Sequence, residues 1–178
     1  MPHLIEAAKT GRAKCRGCGQ LIAAKTLRFG ERVPNPFSED GGESTNWFHV
    51  PCAAFMRPEA FLETIATTTE VIEGRADLER EAHLGIAHRR LPRATAVARA
   101  PTGRAVCRAC KQAIAKDVWR IALMYYEDGR FAPSGFVHVS CAPEYLETTD
   151  FIGRVRHFSP ELTDADVQEI REQLTPKQ

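Results

Sequence analysis

Two arrays of cysteine and histidine in this sequence could each hold a metal ion. They read Cys15-x2-Cys18 with His49-x2-Cys52, and Cys107-x2-Cys110 with His138-x2-Cys141. A two-residue gap lets a tight turn aim both side chains at one ion, and thiolates with an imidazole suit the borderline-soft zinc ion. Four protein ligands complete a tetrahedral sphere and leave no position where a water could be activated, so the expected role is structural, with two Zn2+ per chain. Buried thiols with chance histidine neighbours could explain one array. They do not explain its repetition, and no cysteine is left over.

The elements that must position these ligands repeat as well. A shift of 92 residues superposes Thr10-Gly11-Arg12-Ala13-Lys14-Cys15-Arg16-Gly17-Cys18 on Thr102-Gly103-Arg104-Ala105-Val106-Cys107-Arg108-Ala109-Cys110, and Gln20, Ile22, Ala23 and Arg28 on Gln112, Ile114, Ala115 and Arg120. After the last ligand, Pro58-Glu59-Ala60-Phe61-Leu62-Glu63-Thr64 resembles Pro143-Glu144-Tyr145-Leu146-Glu147-Thr148. The expected organisation is a first unit over 1–91, a linker over 92–101, where small residues lie between two prolines, and a second unit over 102–178.

Within each unit the pattern is mixed. Leu27-Arg28-Phe29 and Trp119-Arg120-Ile121-Ala122-Leu123 read as strands, and Pro34-Asn35-Pro36 and Glu127-Asp128-Gly129 as turns. A helix should follow each metal array. The clearest lies near the C-terminus, where Thr163-x-x-Asp166 forms a variant of the capping box, Leu162 staples onto Val167, and Val167, Ile170 and Leu174 share one face. Leu78, Ala82 and Ile86 form a weaker stripe. The fold class expected is a pair of small α+β zinc-binding domains in tandem, each with short antiparallel strands, a Cys3His site and a following helix.

Composition bounds the rest. With 178 residues, 43% hydrophobic and 26% charged, the chain has the make-up of a globular protein. It has no apolar run of about 18 residues. Met1-Pro2-His3-Leu4-Ile5-Glu6 lacks the features of a secretory signal, so an intracellular protein is expected, in the cytoplasm or nucleoid if bacterial and in the nucleus if eukaryotic, with no membrane partner. In a reducing compartment, six cysteines call for metal rather than disulfides.

Formal charge is only +1 overall, yet positive charge gathers where each array begins. Residues 1–32 hold seven Lys or Arg against two carboxylates, and residues 102–120 hold five against one. Such patches attract phosphate, and binding to them weakens with salt.

The run Gly-Arg-Ala-x-Cys-x2-Cys, an arginine ten residues after the second cysteine, a long loop and Trp47-Phe48-His49-Val50-Pro51-Cys52 resembles the poly(ADP-ribose) polymerase-type zinc finger. The resemblance covers both units. It implies recognition of DNA nicks, gaps or ends by structure rather than base sequence, through arginines on backbone phosphates and an apolar or aromatic side chain on an exposed base pair. Carried over by position, Arg12 and Arg28 would grip phosphates in the first finger, and Arg104 and Arg120 in the second. Phe37 would stack on a base in the first finger, and Phe131 or Tyr126 in the second, whereas Trp47 is expected in the core. The implied partners are DNA and, through it, repair proteins.

No catalytic residues are expected. There is no Ser/His/Asp arrangement or phosphate-cradling glycine loop, and no room for an ADP-ribosyltransferase domain, so no small-molecule substrate is foreseen. The alternative to DNA binding is a zinc-stapled module that presents its surface to a protein partner. A hydrolytic zinc enzyme would need an open metal position.

Overall fold

The computed structural model describes residues 2–35, 38 and 41–174. The chain divides into two compact units, one made of residues 1–87 with 126–131, the other of 88–125 with 132–178.

In the first unit, strands β1 (Leu4–Ala7), β2 (Leu27–Pro34) and β3 (Glu43–His49) form an antiparallel sheet in that order. Between β1 and β2 runs the cysteine knuckle, closed by a bridge between Lys14 and Leu21. β3 delivers His49 at its last position and passes directly into α1 (Val50–Met56), which carries Cys52 in its first turn. A proline at the start of α1 and another at the start of α2 (Pro58–Ile65) fit helix openings, where a missing N–H costs nothing. Phe29, Phe48 and Phe61 are fully buried between sheet and helices. Helix α3 (Arg75–Ala87) packs on α1 and α2 through Ala82 and Gly85, while Ile86, expected on its apolar face, is 40% exposed.

In the second repeat, β4 (Ala94–Arg99), β5 (Trp119–Glu127) and β6 (Arg130–His138) take the same order. The expected turn at 127–129 is there: Asp128 and Gly129 both have positive φ (50° and 76°), as a two-residue hairpin loop requires. Helices α4 (Ala142–Leu146), α5 (Ile152–Phe158) and α6 (Asp164–Leu174) follow. α6 is capped as the sequence predicts. Thr163 N–H donates to Asp166 Oδ2 (2.9 Å), Asp166 N–H donates to Thr163 Oγ1 (3.2 Å), and Val167, Ile170 and Leu174 are buried.

The stretch 92–101 is not a linker. Its alanines and valine form β4, an edge strand that pairs Val97 with Ile121 and Arg99 with Trp119. Ala94, Thr95, Val97 and Ala100 are buried there, and Val97 N–H donates to Ser159 Oγ (2.8 Å). Small residues between prolines read as a spacer in sequence, but here they pair with β5 and pack against the helix over Ile152–Phe158.

The two repeats match in backbone detail. Ala8 N–H bonds Thr26 O as Ala100 N–H bonds Val118 O, and Lys25 N–H bonds Ala8 O as Asp117 N–H bonds Ala100 O. Lys25 and Asp117 share a positive φ (67° and 64°), as do Gly19 and Lys111 (75° and 63°).

Two candidate metal centres and the basic surface beside the first

In each unit the knuckle and the strand-to-helix junction bring three thiols and an imidazole together. All four donor atoms of each set lie within 4.8 Å of one another. In the first, His49 Nδ1 is 3.4 Å from Cys18 Sγ and 4.0 Å from Cys52 Sγ. In the second, His138 Nδ1 is 3.5 Å from Cys110 Sγ and 3.7 Å from Cys141 Sγ. Zinc–sulfur and zinc–nitrogen bonds of usual length in a tetrahedron put S and N about 3.6 Å apart, so both sets fit zinc and Nδ1 is the nitrogen that faces it.

Backbone donors prepare the sulfurs. Gly17 N–H and His49 N–H both point at Cys15 Sγ (3.3 Å each), and His138 N–H points at Cys107 Sγ (3.4 Å). A hydrogen bond from Cys52 holds Cys15 down to about 4 against the effect of burial, while the same partnership and burial push Cys52 up. Burial opposes ionisation of Cys107, but N–H donors from His138, Cys110 and Ala109 bring it to about 6. Burial, then its cysteine neighbours, raise Cys141 to about 12. One thiolate forms readily in each set and resists the next; a divalent cation removes that conflict. The two clusters are therefore zinc sites, each with four protein ligands.

The two sites differ in shelter. Cys15 and Cys52 are buried, whereas Cys110 is exposed and Cys141 half-buried. At Gly17 an added Cβ would lie 3.0 Å from Met56 Sδ and from Cys52 Cβ, so helix α1 closes tightly over the first knuckle.

The arginines expected on phosphate occupy two different settings. Arg12 and Arg104, each three residues before the first cysteine of its array, are exposed. Arg28 is buried: it donates to Glu6 Oε1 (2.6 Å), and its guanidinium lies 3.5 Å from the centre of the Trp47 ring. Arg120 is half-buried, stacked in the same way on Phe136 (3.7 Å). Its β4 neighbour is Ala98, where β1 has Glu6 opposite Arg28. Phe37 lies outside the described residues. Phe131 and Tyr126 pack in the first unit, with ring centroids 4.6 Å apart and Phe131 5.9 Å from Phe48. Tyr126 Oη donates to Glu31 Oε2 (2.7 Å) beneath the Arg57 guanidinium.

Trp47 is not a core residue. It is half-buried and lines a cleft of about 490 Å³ beside the first zinc site, together with Lys14, Arg16 and Thr45. Gly30 accommodates it, since an added Cβ there would come within 2.7 Å of the indole. Sequence reasoning counted Lys14 and Arg16 only as local charge. The signal that could have singled them out was their alternation with Cys15, which turns them outward from the knuckle.

Comparison with known proteins bears on this geometry. Residues 6–89 match the poly(ADP-ribose) polymerase and DNA-ligase zinc-finger region. The zinc-finger region so described contains the whole first site, from Cys15 to Cys52. A poly [ADP-ribose] polymerase of Drosophila melanogaster is 27% identical over 145 residues, covering 71% of this chain and 14% of the relative. One of Sarcophaga peregrina is 29% identical over 139 residues, 68% of this chain and 14% of the relative. Poly [ADP-ribose] polymerase 1 of Gallus gallus is 39% identical over 51 residues, 29% of this chain and 5% of the relative. The chain thus spans 14% of the length of the first two relatives. Their matches cover more residues than 6–89 contain, so each takes in part of the second repeat.

Proposed function

We propose that this chain is a zinc-dependent module that binds DNA by its structure, at nicks, gaps or free ends, through backbone phosphates and base stacking. The observation that carries the reading is the basic surface around the first zinc site: exposed Arg12, Lys14 and Arg16 next to a cleft walled by Trp47. Zinc holds the knuckle and the strand-to-helix junction together, and so fixes those cations relative to one another. The match of residues 6–89 to a zinc-finger region named for poly(ADP-ribose) polymerase and DNA ligase supports the same reading.

The second repeat is, in this reading, a second finger of the same type, which the matched backbone hydrogen bonds and positive-φ residues support. Arg104 and Arg120 would be its phosphate contacts. In the first finger Arg12 contacts phosphate directly, whereas Arg28 acts by holding Trp47 in place. Base stacking falls to Phe37.

One observation favours a protein-docking module instead: Glu6 already matches the charge of Arg28. Salt dependence separates the two. Affinity for a nicked duplex should fall steeply with salt, and the double variant Arg12→Ala, Arg16→Ala should lower the log–log slope by about 2, one for each lost phosphate contact. An unchanged slope and affinity in that variant would sink the assignment of these residues to DNA.

A further inference from the structure

The second unit carries a basic cleft that the DNA-break reading does not use. Its volume is about 480 Å³, and its walls include Arg90, Arg93, Arg108, Lys111, Glu144 and Tyr145. The residues come from three places in the chain: the turn over 88–93, the second knuckle, and helix α4. Four cations thus face one carboxylate. Among the described residues none of the four cations has a carboxylate within ion-pair distance.

The cations are held in place by neutral partners, which leaves their charge uncompensated. Arg90 Nη1 donates to Tyr145 O (3.2 Å), and its guanidinium lies 5.0 Å from the Tyr145 ring centre. Arg108 Nε donates to Ser134 O (2.8 Å), and Lys111 Nζ to Arg108 O (2.7 Å). Arg108 retains its terminal guanidinium N–H groups, and Lys111 two of its three donors. Arg108 also lies across Gly135, where an added Cβ would be 3.0 Å from Nε and where φ is +102°. Glycine is needed there for both reasons.

The first repeat does not carry the same lining residues. Gly19 stands where the second has Lys111, and Asn46 where it has Gly135. The contributions of Lys111 and Gly135 are therefore particular to the second repeat.

Several unpaired cations around a small concave surface suit a ligand with closely spaced negative charges, since each phosphate oxygen can accept a charge-assisted hydrogen bond. We propose that this cleft binds a run of linked phosphates, supplied either as a free oligophosphate or as the backbone of a single strand. The inference does not depend on Arg12, Phe37 or break recognition, so either reading can fail alone.

The test is calorimetric titration of the zinc-loaded full chain with tripolyphosphate at low salt, with zinc content measured before and after. Wild type should bind. The double variant Arg93→Gln, Lys111→Gln should bind at least about tenfold more weakly, and Arg80→Gln, at an exposed position of α3, about as wild type. Because Glu144 is the one carboxylate of the lining, Glu144→Gln should bind more tightly, a gain that misfolding cannot produce. A single-stranded oligonucleotide that displaces tripolyphosphate identifies the source as a strand backbone. Failure to displace it identifies a free oligophosphate. No binding by wild type, or equal binding by wild type and the Arg93, Lys111 variant, would overturn the proposal.

Discussion

Arg28 donates to Glu6 at 2.6 Å across strands β1 and β2, while its counterpart Arg120 faces Ala98 across β4 and β5. One repeat has matched its ring-stacked arginine with a carboxylate, and the other has not. Arg28 should therefore matter to folding first. Arg28→Ala removes a mostly buried partner of Glu6 and the cation over Trp47, and should destabilise the first unit by about 1–3 kcal/mol. Arg12→Ala, at an exposed position, should stay within about 0.5 kcal/mol of wild type. Thermal unfolding of the two variants checks the contrast; equal losses would contradict it.

The ion pair also shows what a sequence conceals. Metal ligands announce themselves by type and spacing, and the repeat follows from aligning Cys15 with Cys107. The capping box at Thr163 is local, and so it was legible too. Glu6 and Arg28 are 22 residues apart and meet only because β1 pairs with β2 in one register. Residues 94–99 look like a spacer because alanine carries little strand propensity, and their pairing with β5 decides the matter. Trp47 has the residue type of a core aromatic, but the strand that carries it turns it toward Arg28 and the cleft.

Metal removal should be stepwise. Zinc-binding free energy is folding free energy in small zinc units, and the second site has the more exposed ligands. A chelator should release one equivalent of zinc rapidly, with loss of structure in the second unit, and the other slowly. Cys107→Ser should hold about one equivalent and show only the slow phase. A single-phase release of two equivalents from wild type would count against the difference in shelter.

Tyr126 gives a pH signature. Burial, then its hydrogen bond to Glu31, raise the phenol to about 12. Its ordinary value is about 10. Below about pH 10 the phenol is neutral in both folded and unfolded chain, and its stabilising contribution is complete. As pH rises from about 10 toward 12 the unfolded chain loses the proton first, and that contribution falls away. Tyr126→Phe should lower stability at neutral pH by about 0.5–1.5 kcal/mol, the range for one hydrogen bond. It should also flatten the alkaline decline seen in wild-type denaturant titrations.

At the other end of the chain, Thr163→Ala should cost about 1 kcal/mol, because it strips one side of a reciprocal cap while leaving Val167, Ile170 and Leu174 in place. Thr163→Ser keeps the hydroxyl and should restore most of it. A serine variant as unstable as the alanine one would show that the cap is not the source.

In the proposed function, a zinc-held surface recognises interruption of the DNA duplex. The most direct test is the affinity of the zinc-loaded chain for a closed dumbbell duplex bearing one nick, compared with the same dumbbell after ligation. Tighter binding to the nicked form by about tenfold or more, the scale of one stacked base at about 1–3 kcal/mol, is the predicted result. Equal binding to the nicked and sealed forms would contradict it.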